Sequence, residues 1–96
     1  LILPKCNNLA DHVYHLYVVR TKERSKLQNK LLEKGIQTMI HYPIPPHLQK
    51  AYIHLGYQVG DFQIAEEIAN TCLSLPIWPG MQKSDVEYVS NVIAEK

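Results

Sequence analysis

Five histidines, His12, His15, His41, His47 and His54, are the first chemically suggestive feature of this 96-residue chain. Imidazole is the commonest metal ligand and titrates near neutrality, so spacing must decide what these residues do. His12 and His15 lie three apart in a Val- and Tyr-rich run that reads as a strand, where odd separations point to opposite faces. His47 and His54 share a face of a predicted helix but stand roughly 10 Å apart along its axis, at about 1.5 Å per residue. Helical zinc pairs need i,i+3 or i,i+4 spacing, and Cys6 and Cys72 supply no ligand cluster. The spacing therefore argues against a metal site. It allows a surface on which His41, at a strand end, joins His47 and His54 on the polar side of the following helix. Neutral imidazoles there can exchange hydrogen bonds with sugar hydroxyls or phosphate oxygens. On spacing alone, the plainer reading of solvated surface histidines stays open.

Other chemistries find less support. The chain has no Gly-x-Ser-x-Gly elbow, no glycine-rich phosphate loop and no evident Cys/His pair, so nucleophilic catalysis is not indicated. Its lysines fall at predicted surface positions, and none lies in an apolar stretch that would depress its pKa for Schiff-base work. Ten basic and nine acidic residues are spread along the sequence for a net charge of +1. Without a basic block, neither nucleic acid nor an anionic membrane surface is an expected partner. The apolar runs are too short to span a bilayer, and no signal-peptide pattern opens the chain. Two widely separated cysteines suit a reduced, cytoplasmic protein, with Cys72 a small buried hydrophobe on a helical stripe. The opening Leu1-Ile2-Leu3-Pro4, without a methionine, suggests part of a longer protein.

The elements that must position these residues follow from periodicity. At 46% hydrophobic content, residues 1–96 suit a single small domain whose core is too modest for a large internal active-site cavity. Leu1 to Pro4 reads as a strand end. His12–Arg20 reads as a strand with both faces substantially apolar. Thr21–Lys34 reads as a helix with Thr21 as N-cap, a Leu27/Leu31 pair and Gly35 as its stop. Ile36–Ile40 is a second expected strand. Pro43, Pro45 and Pro46 then stiffen an extended loop, the usual way for a scaffold to present side chains outward. Pro46–Leu55 reads as a short helix whose Leu48, Ala51, Tyr52 and Leu55 face the sheet, with Gly56 as its stop. Asp61 is expected to cap a longer helix with the stripe Ile64, Ala65, Ile68, Ala69 and Cys72. An edge strand near Leu75–Ile77 and a last helix opened by a Ser84–Glu87 capping box complete the chain, with Val86, Val89 and Ile93 facing inward. Trp78, between two prolines, is either an anchor for a neighbouring domain or a plug in its own core. The expected class is α+β, a small sheet with helices packed mainly on one face.

Specific motifs then point to a family. Gly35-Ile36, His41-Tyr42-Pro43-Ile44-Pro45-Pro46-His47, Gln49 and Tyr52 resemble a signature of the DegT/DnrJ/StrS family of pyridoxal-phosphate-dependent sugar aminotransferases. Gly60-Asp61-Phe62, Ala65-Glu66, Leu73-Ser74-Leu75-Pro76 and Pro79 resemble that family's next landmarks, in order. His15-Leu16-Tyr17-Val18-Val19-Arg20 resembles the strand that opens its C-terminal domain. Gln63 departs from the family's usual proline. The resemblance implies the small C-terminal domain of a fold-type I enzyme, with the Schiff-base lysine and most of the pyridoxal phosphate site in a large domain not present here. It implies an amino group moved from glutamate to a nucleotide-linked keto sugar, with the cofactor as electron sink. The double proline and His54 look most like members acting on dTDP-linked 3-keto-6-deoxyhexoses, although some relatives are dehydratases. On the same resemblance, His41 and His54 contact the hexose or its phosphates, with Tyr42 and His47 behind them, and the full-length enzyme is a homodimer. The fragment alone is then expected to be inactive. A non-catalytic ligand-binding or interaction module of the same fold is the alternative.

Overall fold

Two tetrapeptides rich in β-branched and apolar residues carry the sheet, β1 (Tyr17–Arg20) and β2 (Cys72–Leu75). The computed structural model describes all residues, Leu1–Lys96, and pairs these strands antiparallel, with Tyr17 opposite Leu75 and Val19 opposite Leu73. Ile2 forms an antiparallel bridge to Arg20, and Met39 forms one to Ser74. The segments therefore lie in the order Ile2, β1, β2, Met39. No helix is long and apolar enough to cross a membrane.

Three helices flank this ladder: α1 (Arg24–Glu33), α2 (Gln63–Thr71) and α3 (Lys83–Ala94). Leu31 of α1 and Val92 of α3 meet Val19, Ile36 and Leu73 in one buried cluster. Gly35 ends α1 at φ +76, and the amides of Gly35 and Ile36 donate to the carbonyls of Leu32 and Leu31, both at 2.9 Å. This closure satisfies the last carbonyls of the helix and turns Ile36 directly into the core. The α+β class expected from periodicity is the one observed.

The details of the sheet differ from expectation. The strand predicted from His12 begins only at Tyr17, because Tyr14 sits at φ +48 with its amide donating to His12 Nδ1 at 2.8 Å. A tyrosine at positive φ breaks the extended path, and Val13 is left 90% exposed. Ile36–Ile40 supplies one bridge rather than a strand, since only Met39 reaches the ladder. The strand expected at an edge near Leu75–Ile77 instead covers Cys72–Leu75 and lies between β1 and Met39. Pro76, which has no amide to donate, follows its last residue. Cys72 thus belongs to this strand and not to a helical stripe, although it is buried as expected.

The helical expectations shift by a few residues. Thr21 does not cap α1. Glu23 takes that position, and Thr21 Oγ1 accepts its amide at 3.2 Å. Phe62, not Asp61, stands at the N-cap of α2, and Asp61 Oδ2 accepts instead from the Gln58 amide. The Ile64 and Ile68 stripe of α2 is exposed rather than packed. The capping box of α3 is built by Gln82 and Asp85, two residues before the expected start at Ser84. Val92 is the buried residue of α3, while Val86 stays exposed. Pro46–Leu55 is not one helix. It forms two 3-10 turns, Pro46–Leu48 and Lys50–Leu55, separated by an extended Gln49 at ψ 145. The face expected on the sheet is accordingly open, with Ala51, Tyr52 and Leu55 exposed and only Leu48 partly covered.

Candidate functional site

His41 follows directly from the Met39–Ser74 bridge, which brings its ring over β2. Its Nδ1 lies 2.8 Å from Ser74 Oγ, and its carbonyl accepts a long hydrogen bond from Cys72 Sγ at 3.7 Å. Tyr42 packs edge-on against the imidazole at 5.4 Å and is otherwise exposed. The peptide bond between His41 and Tyr42 is cis. His41 and Ser74 line a cavity of about 580 Å³ together with Gln37, Trp78, Asp85 and Tyr88. An adjoining apolar groove of about 500 Å³ shares Leu75, Pro76 and Ile77 with it and extends to Leu1 and Leu3. Trp78 is half-exposed and so does not plug the core.

His47 has a different setting. It is 8% exposed, packs edge-on against Phe62 at 4.9 Å, and places Nε2 3.3 Å from Glu66 Oε2. The Glu66 carboxylate also accepts the amides of Gly60 at 2.9 Å and Phe62 at 3.3 Å. These donors hold its pKa below the ordinary 4.5, the Gly60 amide most strongly and then Phe62 and His47, against an opposing effect of partial burial. Three groups from the proline-rich loop and the start of α2 are thereby tied to one carboxylate. His54 is exposed, its ring makes no hydrogen bond within the chain, and it does not line the cavity.

Of the four residues singled out by sequence, the fold therefore brings His41 and Tyr42 together beside the cavity. It turns His47 inward and leaves His54 on the outer turn. Ser74 and Glu66 belonged to family landmarks but were not singled out as site residues. A polar residue inside the apolar run Leu73-Ser74-Leu75 was the available signal for Ser74. Ala65-Glu66 stood among the family landmarks, but nothing local marked Glu66 as the partner of His47, 19 residues away. No three His, Cys, Asp or Glu side chains converge in a way that could hold a metal ion. No lysine lines the cavity: all are exposed except Lys30, whose Nζ bonds the carbonyls of Ile93 and Glu95. The residues present therefore do not by themselves fit a pyridoxal phosphate held through a lysine.

Comparison with known proteins agrees with the motif reading. The profile of the DegT/DnrJ/EryC1/StrS aminotransferase family matches residues 2–94. A dTDP-3-amino-3,6-dideoxy-alpha-D-galactopyranose transaminase from Aneurinibacillus thermoaerophilus is 48% identical over 91 residues, which are 95% of this chain and 24% of the relative. The erythromycin biosynthesis sensory transduction protein EryC1 of Saccharopolyspora erythraea is 43% identical over 93% of the chain and 24% of its own length. The crystal structure of S. venezuelae DesV superposes with a TM-score of 0.89 at 37% identity, covering 96% of this chain and 25% of that one. The chain thus spans about a quarter of the length of the relatives it matches.

Proposed function

The chain belongs to the DegT/DnrJ/EryC1/StrS aminotransferase family, and from that premise we propose that it is the small C-terminal domain of a nucleotide-sugar aminotransferase. The full-length enzyme moves an amino group from glutamate to a nucleotide-linked keto sugar. The acceptor is a dTDP-linked 3-keto-6-deoxyhexose, by analogy with the transaminase that is 48% identical. Pyridoxal phosphate is the cofactor and supplies the electron sink. It is held mainly by a large domain outside these residues, which also carries the proton-transferring lysine. The full-length enzyme works in the cytoplasm as a homodimer.

The observation that carries this reading is His41, hydrogen-bonded to a buried serine at the wall of a cavity that contains no lysine. Such an arrangement suits binding and orientation of a polar substrate, with bond-making groups supplied from elsewhere. His41 and Tyr42 contact the hexose or its phosphates, and His54 approaches from the outer turn. His47 supports them by fixing the loop that carries them. In the full-length enzyme, His41→Asn and His54→Asn should each raise KM for the nucleotide sugar about threefold to tenfold, the worth of one hydrogen bond. Bound pyridoxal phosphate should be unchanged. Wild-type kinetics in both variants would remove the site assignment.

A non-catalytic ligand-binding or interaction module of the same fold is the second reading. The sensory-transduction name of the relative that is 43% identical favours it. Glutamate-dependent turnover by the full-length protein separates the two.

A further inference from the structure

Ser74 is 5% exposed, and its backbone is fully engaged: its amide donates to the Met39 carbonyl at 2.7 Å and its carbonyl accepts the Met39 amide at 3.2 Å. Its hydroxyl has one hydrogen-bond partner within the chain, His41 Nδ1 at 2.8 Å. A neutral imidazole carries a single N–H, and two arrangements of this pair are possible. With the proton on Nδ1, the ring donates to Ser74 Oγ, and the hydroxyl proton of this 5%-exposed residue is left without an acceptor within the chain. An unmade buried hydrogen bond is unfavourable by the full desolvation of the group. With the proton on Nε2, the serine hydroxyl donates to Nδ1 and both groups are satisfied.

We infer that Ser74 is a positioning residue that fixes neutral His41 as the Nε2–H tautomer, so that His41 presents a hydrogen-bond donor to the cavity it lines. Nε2 has no partner within the chain, and its complement is an oxygen acceptor on the ligand. A sugar keto or hydroxyl oxygen and a phosphate oxygen share that chemistry. The class of ligand rests on the aminotransferase reading above, whereas the tautomer rests on the Ser74 geometry alone.

Nitrogen NMR of the full-length protein, labelled in histidine, reads the tautomer directly. In neutral His41 the expected pattern is a pyridine-like Nδ1 and a pyrrole-like, protonated Nε2. The reverse pattern would overturn the inference. Ser74→Ala should let the Nδ1–H form appear and raise KM for the nucleotide sugar about threefold to tenfold at nearly unchanged kcat. Ser74→Thr, which keeps the hydroxyl, should restore both. A Ser74→Ala protein with wild-type tautomer and wild-type KM would also overturn the assignment. Titration with dTDP alone and with dTDP-glucose then identifies the acceptor. A shift of the Nε2–H signal with both probes marks a phosphate oxygen, and a shift with dTDP-glucose alone marks a sugar oxygen. No shift with either probe would overturn the donor role. A protein that shows the tautomer and the shift yet consumes no glutamate would defeat the aminotransferase reading while leaving this one standing.

Discussion

Glu66 ties the proline-rich loop to the start of α2 by accepting from His47 and from the amides of Gly60 and Phe62. Its pKa is lowered, so its contribution to stability follows the acid side of the pH scale. That contribution is fully present above the ordinary carboxylate value of 4.5 and is lost as pH falls through the lowered folded value. Glu66→Gln removes the charge and part of the accepting capacity, and thermal melts at neutral pH should fall by a few degrees. The gap between wild type and variant should close once pH drops below the folded value. A gap that persists unchanged in acid would mean that the charge of Glu66 does not anchor the loop. His47 shows the limit of residue-level reading. Its place in the motif was plain in the sequence, but its burial was not, because its partner Glu66 lies 19 positions away on a different element. Composition marks a histidine as versatile, and only the fold decides whether its ring faces solvent or a partly buried carboxylate.

At the scale of elements, punctuation was read from the sequence better than extent. Gly35 and Gly56 both end their segments at positive φ, +76 and +77, as glycine stops should. A Cβ at Gly35 would meet nothing within 4 Å, so Gly35→Ala tests the left-handed backbone rather than a clash. The substitution should be unfavourable by about 1 kcal/mol, seen as roughly fivefold faster hydrogen exchange at the Ile36 amide that closes α1. Unchanged exchange would show that the closure contributes nothing. Strand lengths were poorly legible. Val, Tyr and Leu in residues 12–20 satisfy strand propensity throughout, but the positive φ of Tyr14 confines pairing to Tyr17–Arg20. The Pro46–Leu55 pattern has helical spacing, yet the extended Gln49 divides it, and its apolar side chains stay in solvent. The first departure adjoins the cavity, which His15 and Leu16 line, whereas the second lies outside its lining.

The whole molecule is flat and open for its size. Its extents are 48 × 33 × 20 Å and its radius of gyration 15.5 Å, against about 12.5 Å for a compact domain of this length. Its accessible surface is 7600 Å², roughly 1,900 Å² more than a typical monomer of the same mass exposes. An excess of that order is about twice the roughly 800 Å² that one partner contributes to a standard protein interface. The uncovered area is apolar where Leu1, Leu3, Ile77 and Val86 line the groove beside the His41 cavity. Such a surface suits a domain completed by another, which is the arrangement proposed for the full-length enzyme. The α+β class and the family motifs were legible in sequence because they rest on local periodicity and residue identity. The Ser74–His41 pair was not, because it depends on which strand lies at the centre of the ladder. The most direct test of the account is transamination itself. The full-length protein, supplied with pyridoxal phosphate, glutamate and a dTDP-linked 3-keto-6-deoxyhexose, should release one 2-oxoglutarate for each amino sugar detected by mass spectrometry, while residues 1–96 alone should release none. A full-length protein that binds pyridoxal phosphate but forms no amino sugar from any nucleotide-linked keto sugar, or turnover by the 96-residue chain alone, would contradict it.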